Sequence, residues 1–225
     1  MRNSTSKIPL LGVIFTFAIL SIIVILNSQH VYSQNPDTEN PEVSHLDVNN
    51  TSSVSKFSVA AWFKTSNDFK SDAFIVNKAG DSGNLNYGIW MTNEEKIQAG
   101  FETSGGKPMY ATSPLSYNDG KWHYAVVTFD GSFVNLYVDG IQVATKPTSG
   151  TPDNGGSEPV RVGANSDSLN NYFVGEVDEV RVWKNALTAQ QVVDAFNGNI
   201  NTKDQIMYLD FSEPINSTSA VNQTA

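Results

Sequence analysis

Apolar positions recur along this chain in short runs at the period of a β-strand, broken every few residues by Gly, Asn, Asp or Pro. Between Phe57 and Lys64 the alternation puts Phe57, Val59, Ala61 and Phe63 on one face, as in a strand with one buried side. Ala73 to Asn77, Tyr87 to Met91 and Lys96 to Glu102 read as further strands. Trp122 to Phe129 ends at Asp130-Gly131, Phe133 to Val138 ends at Asp139-Gly140, and Ile141 to Thr145 returns. Asp-Gly between strands favours a tight turn because both positions tolerate positive φ, so the spacing predicts two successive hairpins. Val160 to Gly163, Phe173 to Trp183 and Met207 to Phe211 complete the strand pattern. Within the longest of these, Val177 shares parity with Phe173 while Val180 and Val182 do not. A β-bulge at Asp178-Glu179 would return all three valines to one core. One helix is predicted from Thr188 to Phe196. Thr188 and Gln191 match a capping box, Ala189, Val192, Val193 and Phe196 form an apolar face, and Gly198 can close the end. Many short strands at hairpin spacing predict a sandwich or a barrel. Phe57, Val59, Trp122, Val126, Leu136, Val177, Val180 and Val182 are its expected core.

The N-terminus carries a different pattern. Arg2 and Lys7 precede an apolar stretch from Ile8 to Leu26, and Val31-Tyr32-Ser33 before Gln34 offers a small residue at a cleavage point. Residues 1–33 therefore read as a signal peptide or an N-terminal membrane anchor, the stretch being long enough to span a bilayer. Either way the remainder faces outward, secreted or on an extracytoplasmic cell surface. Membrane contact is expected only through this segment, if it is retained. Residues 34–43 are rich in Pro, Asn, Asp and Glu and read as a linker, 44–213 as the folded domain, and 214–225 as a flexible tail. Asn49, Asn50, Asn216 and Asn222 each begin a glycosylation sequon at the margins of that domain.

Composition narrows the function. The chain of 225 residues carries a formal charge of −9, which becomes −11 if Arg2 and Lys7 leave with the leader. Such a surface repels phosphate backbones, and nucleic acid is excluded as an expected partner. There is no cysteine, so an exported domain must hold itself together by its core, with or without a metal.

Several stretches together resemble a known family. They are Ser58 to Lys64, Trp122 to Val126, Leu136 to Gly140, Arg161 to Gly163, Phe173 to Val182, and Asn185 to Thr188 leading into the helix. This ordered set resembles the laminin G-like branch of the concanavalin A-like lectin/glucanase superfamily, which includes relatives of the pentraxins. The resemblance covers roughly Asp47 to Phe211. It implies an all-β fold, a two-sheet antiparallel β-sandwich of the jelly-roll, concanavalin A-like kind with one short C-terminal helix, and it adds Trp62 to the expected core. It leaves function open, because this fold hosts lectins, adhesion modules and glycosidases.

Four chemistries bear on these residues. Glu176-Val177-Asp178-Glu179 resembles the carboxylate strand of the superfamily's glucanases, but retaining hydrolysis needs two carboxyls facing each other across the sugar bond. Val180 or Arg181 stands where the second would be. The three histidines, His30, His45 and His123, are too scattered for zinc. Calcium is the metal candidate, since it takes oxygens from carboxylates, amides and carbonyls on loops. Asp178 at the expected bulge matches a family Asp that helps hold a structural cation, and Asn165 with Asp167 resembles the pentraxin calcium loop in position. For sugar, aromatic faces and amide groups are required, and Trp90, Tyr110, Tyr117 and Tyr172 lie in or beside loops with Asn84, Asn86, Asn170 and Asn171 nearby. The reading is an exported, non-enzymatic carbohydrate-binding module, lectin-like, with calcium as candidate cofactor and a glycan as partner. The alternative is a structural or adhesive module binding a cell-envelope protein; a glycoside hydrolase ranks last.

Overall fold

The structure is a computed structural model and describes residues 31–33, 45–48, 53–168 and 170–211. The expectations for residues 1–30, the linker 34–43, the sequons and the tail 214–225 lie outside the described residues.

In chain order the elements are β1 (Val31–Ser33), β2 (Leu46–Val48), β3 (Phe57–Lys64), β4 (Ala73–Ala79), β5 (Leu85–Met91), β6 (Lys96–Glu102) and β7 (Pro108–Ser116). There follow β8 (His123–Phe129), β9 (Phe133–Val138), β10 (Ile141–Pro147), β11 (Val160–Val162), β12 (Gly175–Trp183), α1 (Ala189–Phe196) and β13 (Gln205–Leu209). One sheet runs β1-β12-β3-β8-β9-β10 with β13 also on β12, and the other runs β2-β11-β4-β5-β6-β7. The strands pair antiparallel throughout. This is the expected two-sheet sandwich with one short helix. The segment Val31–Ser33, at the end of the stretch read as leader or anchor, forms the short edge strand beside Gly175 to Val177.

Two apolar clusters hold it. The larger fills the space between the sheets, where Phe57, Val59, Ala61 and Phe63 meet Tyr87, Ile89 and Phe101. Phe57 touches Tyr87, Phe101 and Phe129 with ring centroids 5.8, 6.3 and 5.8 Å away. Full burial of a side chain of this size contributes about 1.5–3 kcal/mol. The smaller cluster lies outside the first sheet, where α1 covers Ala60, Tyr124, Val126, Tyr137 and Trp183 with Val192 and Ala195. The helix begins at Thr188 with the full reciprocal capping box, Gln191 N–H to Thr188 Oγ1 at 3.2 Å and Thr188 N–H to Gln191 Oε1 at 2.9 Å.

The bulge is where the valine parity places it. The β12–β3 register slips between Asp178 and Arg181, Glu179 takes a positive φ of 46°, and Val177, Val180 and Val182 are all fully buried. Asp139-Gly140 is the two-residue turn expected, with φ of 52° and 77° and Val138 paired to Ile141. Other expectations need correction. Phe129 pairs with Val134, so Asp130-Gly131 opens a longer loop; the Asp130 carboxylate ties it by accepting from the N–H groups of Ser132 and Phe133 at 2.8 Å each. Trp62 and Trp122 are only partly buried. Trp62 stands on the outer face, against Tyr124 and Phe196 under the helix. Trp122 precedes β8, with the Lys64 ammonium 5.9 Å from its ring. Val126 is buried in the outer cluster instead of between the sheets. Ala189 and Val193 face solvent, and Ala195 takes their place in contact. Strand β7 was not expected at all. Its inward positions are Met109, Ala111 and Ser113 between exposed residues, with prolines at 108 and 114.

Val180→Asp tests the bulge, because it sets an unpaired carboxylate among buried apolar side chains at a cost of several kcal/mol. The variant is expected to give no folded domain, and a wild-type yield and melting temperature would show that Val180 does not face the core.

Candidate functional site

The β2-β11-β4-β5-β6-β7 sheet presents its second face outward. Across it Phe74 on β4 pairs with Trp90 on β5, Gly88 on β5 with Gly100 on β6, and Gly100 with Tyr110 on β7. Trp90 meets the Tyr110 ring edge-on at 4.7 Å and Phe74 at 5.5 Å. The paired glycines put no side chain between these aromatics and the next row. A Cβ on Gly88 would lie 3.1 Å from the Asn77 Cβ, and one on Gly100 only 2.1 Å from the Met109 carbonyl oxygen. Beside these aromatics lies a cleft of about 320 Å³. Phe74, Leu85, Trp90, Glu102 and Tyr110 supply its strand walls, Gly83 and Asn84 one rim, and Asp72, Asn165, Ser166, Asp167 and Asn171 the other.

The second rim is fixed by two long-range residues. Asn77 is fully buried; its Nδ2 donates to the Ala164 carbonyl at 2.6 Å and its Oδ1 accepts from the Ser166 N–H at 2.8 Å. From the other side the Arg161 guanidinium donates to the carbonyls of Asn165 at 2.6 Å and Ser166 at 3.2 Å, while a second arm reaches Asp47 Oδ2 at 2.9 Å. Asn171 closes the rim by donating from Nδ2 to the Asp72 carbonyl at 2.7 Å.

Oxygen acceptors dominate the cleft. The Glu102 carboxylate accepts from the Leu85 N–H at 3.0 Å and from the Tyr110 hydroxyl. Burial, and then that bond to Glu102, push the Tyr110 hydroxyl far above the ordinary tyrosine range. Burial also raises the Asp72 carboxyl above its usual value. No hydrogen bond or ion pair among the described residues engages the carboxylate of Asp72 or of Asp167. The lining contains no Lys, Arg or His. Two lining residues carry buried polar atoms without a partner, Trp90 Nε1 and Ser166 Oγ, in side chains 2% and 1% exposed.

Residues singled out in the sequence for two different chemistries thus meet in one place. Trp90 and Tyr110, picked for sugar, and Asn165 and Asp167, picked for calcium, line the same cleft, joined by Asn84 and Asn171. Trp90 and Tyr110 stand within β5 and β7 and not in loops, and Trp90 is covered by its neighbours, so the partly exposed rings are Tyr110 and Phe74. Tyr172 bridges to Phe74 beside the cleft. Tyr117 lies apart from it, edge-on against His123 at 5.0 Å. Asp178 also lies apart, on β12 of the other sheet, where its carboxylate accepts from the Glu179 N–H at 2.7 Å. Glu176 is ion-paired to Lys64 at 2.8 Å. Phe74, Asp72 and Glu102 escaped sequence reasoning, and Ser166 entered it only as the middle of the Asn165–Asp167 loop.

Calcium takes six to eight oxygens. Asn165 Oδ1 already accepts from the Asp167 N–H at 3.0 Å, and among the described residues no three His, Asp or Glu side chains converge on one ion position.

The class defined by this architecture is a jelly-roll sandwich with a cleft on one open sheet face. A Laminin_G_3 family model of the concanavalin A-like lectin/glucanases superfamily matches residues 37–193. The chain belongs to that superfamily. It is similar to human Pappalysin-1, with 34% identity over 83 residues, a stretch that is 35% of this chain and 5% of that protein. Among solved structures, it resembles the heptameric SAP-like pentraxin of Limulus polyphemus (20% identity, TM-score 0.55, covering 72% of this chain and 80% of that one). It also resembles the CBM40 of Ruminococcus gnavus IT-sialidase (14% identity, TM-score 0.55, covering 64% and 84%). These structural likenesses establish the fold.

Asn77→Ala should leave the Ala164 carbonyl and Ser166 N–H without partners and lower stability by about 2 kcal/mol or more. Hydrogen exchange is expected to speed up at Ser166 before the rest of the domain, and protection unchanged there would show that Asn77 does not hold the rim. Burial raises the hydroxyl pKa of Tyr87, Tyr110 and Tyr124 in the folded state. Their contribution is therefore complete below the ordinary tyrosine pKa of about 10 and is lost as pH rises beyond it. Tyrosinate absorbance should show these three ionising only together with unfolding.

Proposed function

We propose that this chain is an exported carbohydrate-binding module that holds a glycan in the cleft on the outer face of β4, β5, β6 and β7. The observation that carries the reading is the convergence of partly exposed aromatic rings, side-chain amides and carboxylate acceptors around one preformed cleft. A pyranose presents an apolar face and a ring of hydroxyls. Tyr110 and Phe74 match the first, and the oxygens of Asn84, Asn171, Asp72 and Asp167 match the second. The family and the similar structures are mostly binding modules, which supports binding over catalysis. The carboxylate strand offers no more to hydrolysis, because Glu176 is tied to Lys64 and Glu179 sits at the bulge. Export follows from the apolar segment after Arg2 and Lys7, which would place the cleft outside the cell.

No step here is routed through calcium. A glycan array with the purified domain, run with calcium and with chelator, tests the proposal. Specific binding is expected in both conditions, and Tyr110→Ala should weaken it about tenfold or more through loss of the ring and of the partner of Glu102. An array with no specific signal, or one indifferent to Tyr110→Ala, would refute the cleft as a glycan site.

A further inference from the structure

We infer that the cleft selects a glycan bearing a free amino group, a hexosamine left unacetylated at nitrogen, over neutral and acidic sugars. This rests on the reading of the cleft as a glycan site and adds the charge class of the ligand.

Three carboxylates line the cleft and no cationic side chain does. Glu102 is already engaged at both oxygens, by the Leu85 N–H and the Tyr110 hydroxyl. Asp72 and Asp167 have no such partner among the described residues. Asp167 follows a segment held by Asn77 and Arg161, and the Asp72 backbone is held by Asn171. Partial burial raises the Asp72 carboxyl above its usual value, and no cationic side chain on the lining offsets it. Several carboxylates elsewhere do have a cation: Glu176 has Lys64, Asp47 has Arg161, and Glu179 has Arg181 at 3.6 Å.

A second observation is independent of charge. Ser166 Oγ and Trp90 Nε1 are buried polar atoms without partners on this same lining. Buried polar atoms are normally satisfied, and although Tyr124 Oη, Arg181 Nε and Asn185 Oδ1 are orphaned away from this lining, the two upon it are the ones a ligand in the cleft would complete. A sugar supplies the needed hydroxyls, and an ammonium beside one of them would supply the charge missing at Asp72 and Asp167. An acidic sugar would bring a carboxylate against the same two groups, an arrangement that repels.

The test uses the full chain and three probes at about pH 6, where a sugar amine is protonated. They are a β-1,4-linked glucosamine tetramer, its fully N-acetylated counterpart and sialylated lactose, titrated by calorimetry at low and high salt. The free amine is expected to bind about tenfold tighter than the acetylated form at low salt, with the gap narrowing at high salt. In Asp72→Asn/Asp167→Asn the tenfold preference should vanish, the two tetramers binding alike whatever their common affinity; both positions are exposed, so the fold should tolerate the change. Persistence of the preference in the double variant would assign it to the overall charge of −9 and overturn the inference. Equal binding of both tetramers to wild type, or tighter binding of the sialylated probe, would also overturn it, while binding lost in Tyr110→Ala would leave the glycan site standing. Failure of every sugar to bind would remove both.

Discussion

Both ends of the buried Asn77 amide are taken by one loop, and the outward face of the second sheet depends on that engagement. The carbonyl of Ala164 and the N–H of Ser166 have no strand partner to satisfy them, and leaving such groups unpaired in the interior would cost about 1–3 kcal/mol each. A single side chain amide, carrying a donor and an acceptor, solves both at once. Arg161 repeats the solution from β11 with a charge, taking the carbonyls of Asn165 and Ser166. The same device recurs along β4 and β5. The Lys78 ammonium is buried against the carbonyls of Ala79, Gly156 and Glu158, at 3.2, 3.3 and 3.0 Å. Asn86 joins the N–H of Val54 to the carbonyl of Asp153, at 3.1 and 2.6 Å. A domain without cysteines thus binds its long loops to the sheet by buried polar side chains instead of disulfides.

Much of the framework was legible because it is local. The slip in valine parity located the bulge, since a side chain on the wrong face of a strand cannot be hidden. The Asp139-Gly140 turn and the Thr188–Gln191 capping box are likewise short-range chemistry, and both stand where the residues put them. Strand β7 was illegible because it is an edge strand with few inward apolar positions, and pairing to β6 rather than periodicity makes it a strand. The second apolar cluster was illegible for the opposite reason. Strands β3 and β8 are buried on both faces, between the sheets and under α1, so Trp62 and Val126 look apolar without saying which core they join.

The cleft shows the same division. Trp90, Tyr110, Asn165 and Asp167 were each recognisable as residues able to meet a ligand, yet they seemed to serve separate chemistries. Their meeting depends on the strand order β11-β4-β5-β6-β7 and on Asn77, and neither can be read from a stretch of sequence. Asp72 and Glu102 went unremarked for a related reason. A carboxylate beside a strand is ordinarily solvated, and only the assembled cleft separates one engaged by Tyr110 from one with no partner.

Why the site lies on this sheet and not the other follows from the helix. Each sheet of a sandwich has an inner face for the core and an outer face that must be covered or solvated. The sheet containing β3, β8 and β12 is covered, because α1 lays Val192 and Ala195 over Tyr124, Val126 and Trp183 and draws Trp62 in with Phe196. Its outer aromatics are consumed in packing. The opposite sheet has no helix among the described residues to cover it. Its outer aromatics pack against one another instead, and Phe74, Trp90 and Tyr110 line the cleft left between the rims. The asymmetry that stabilises one side of the molecule leaves the other free to receive a ligand.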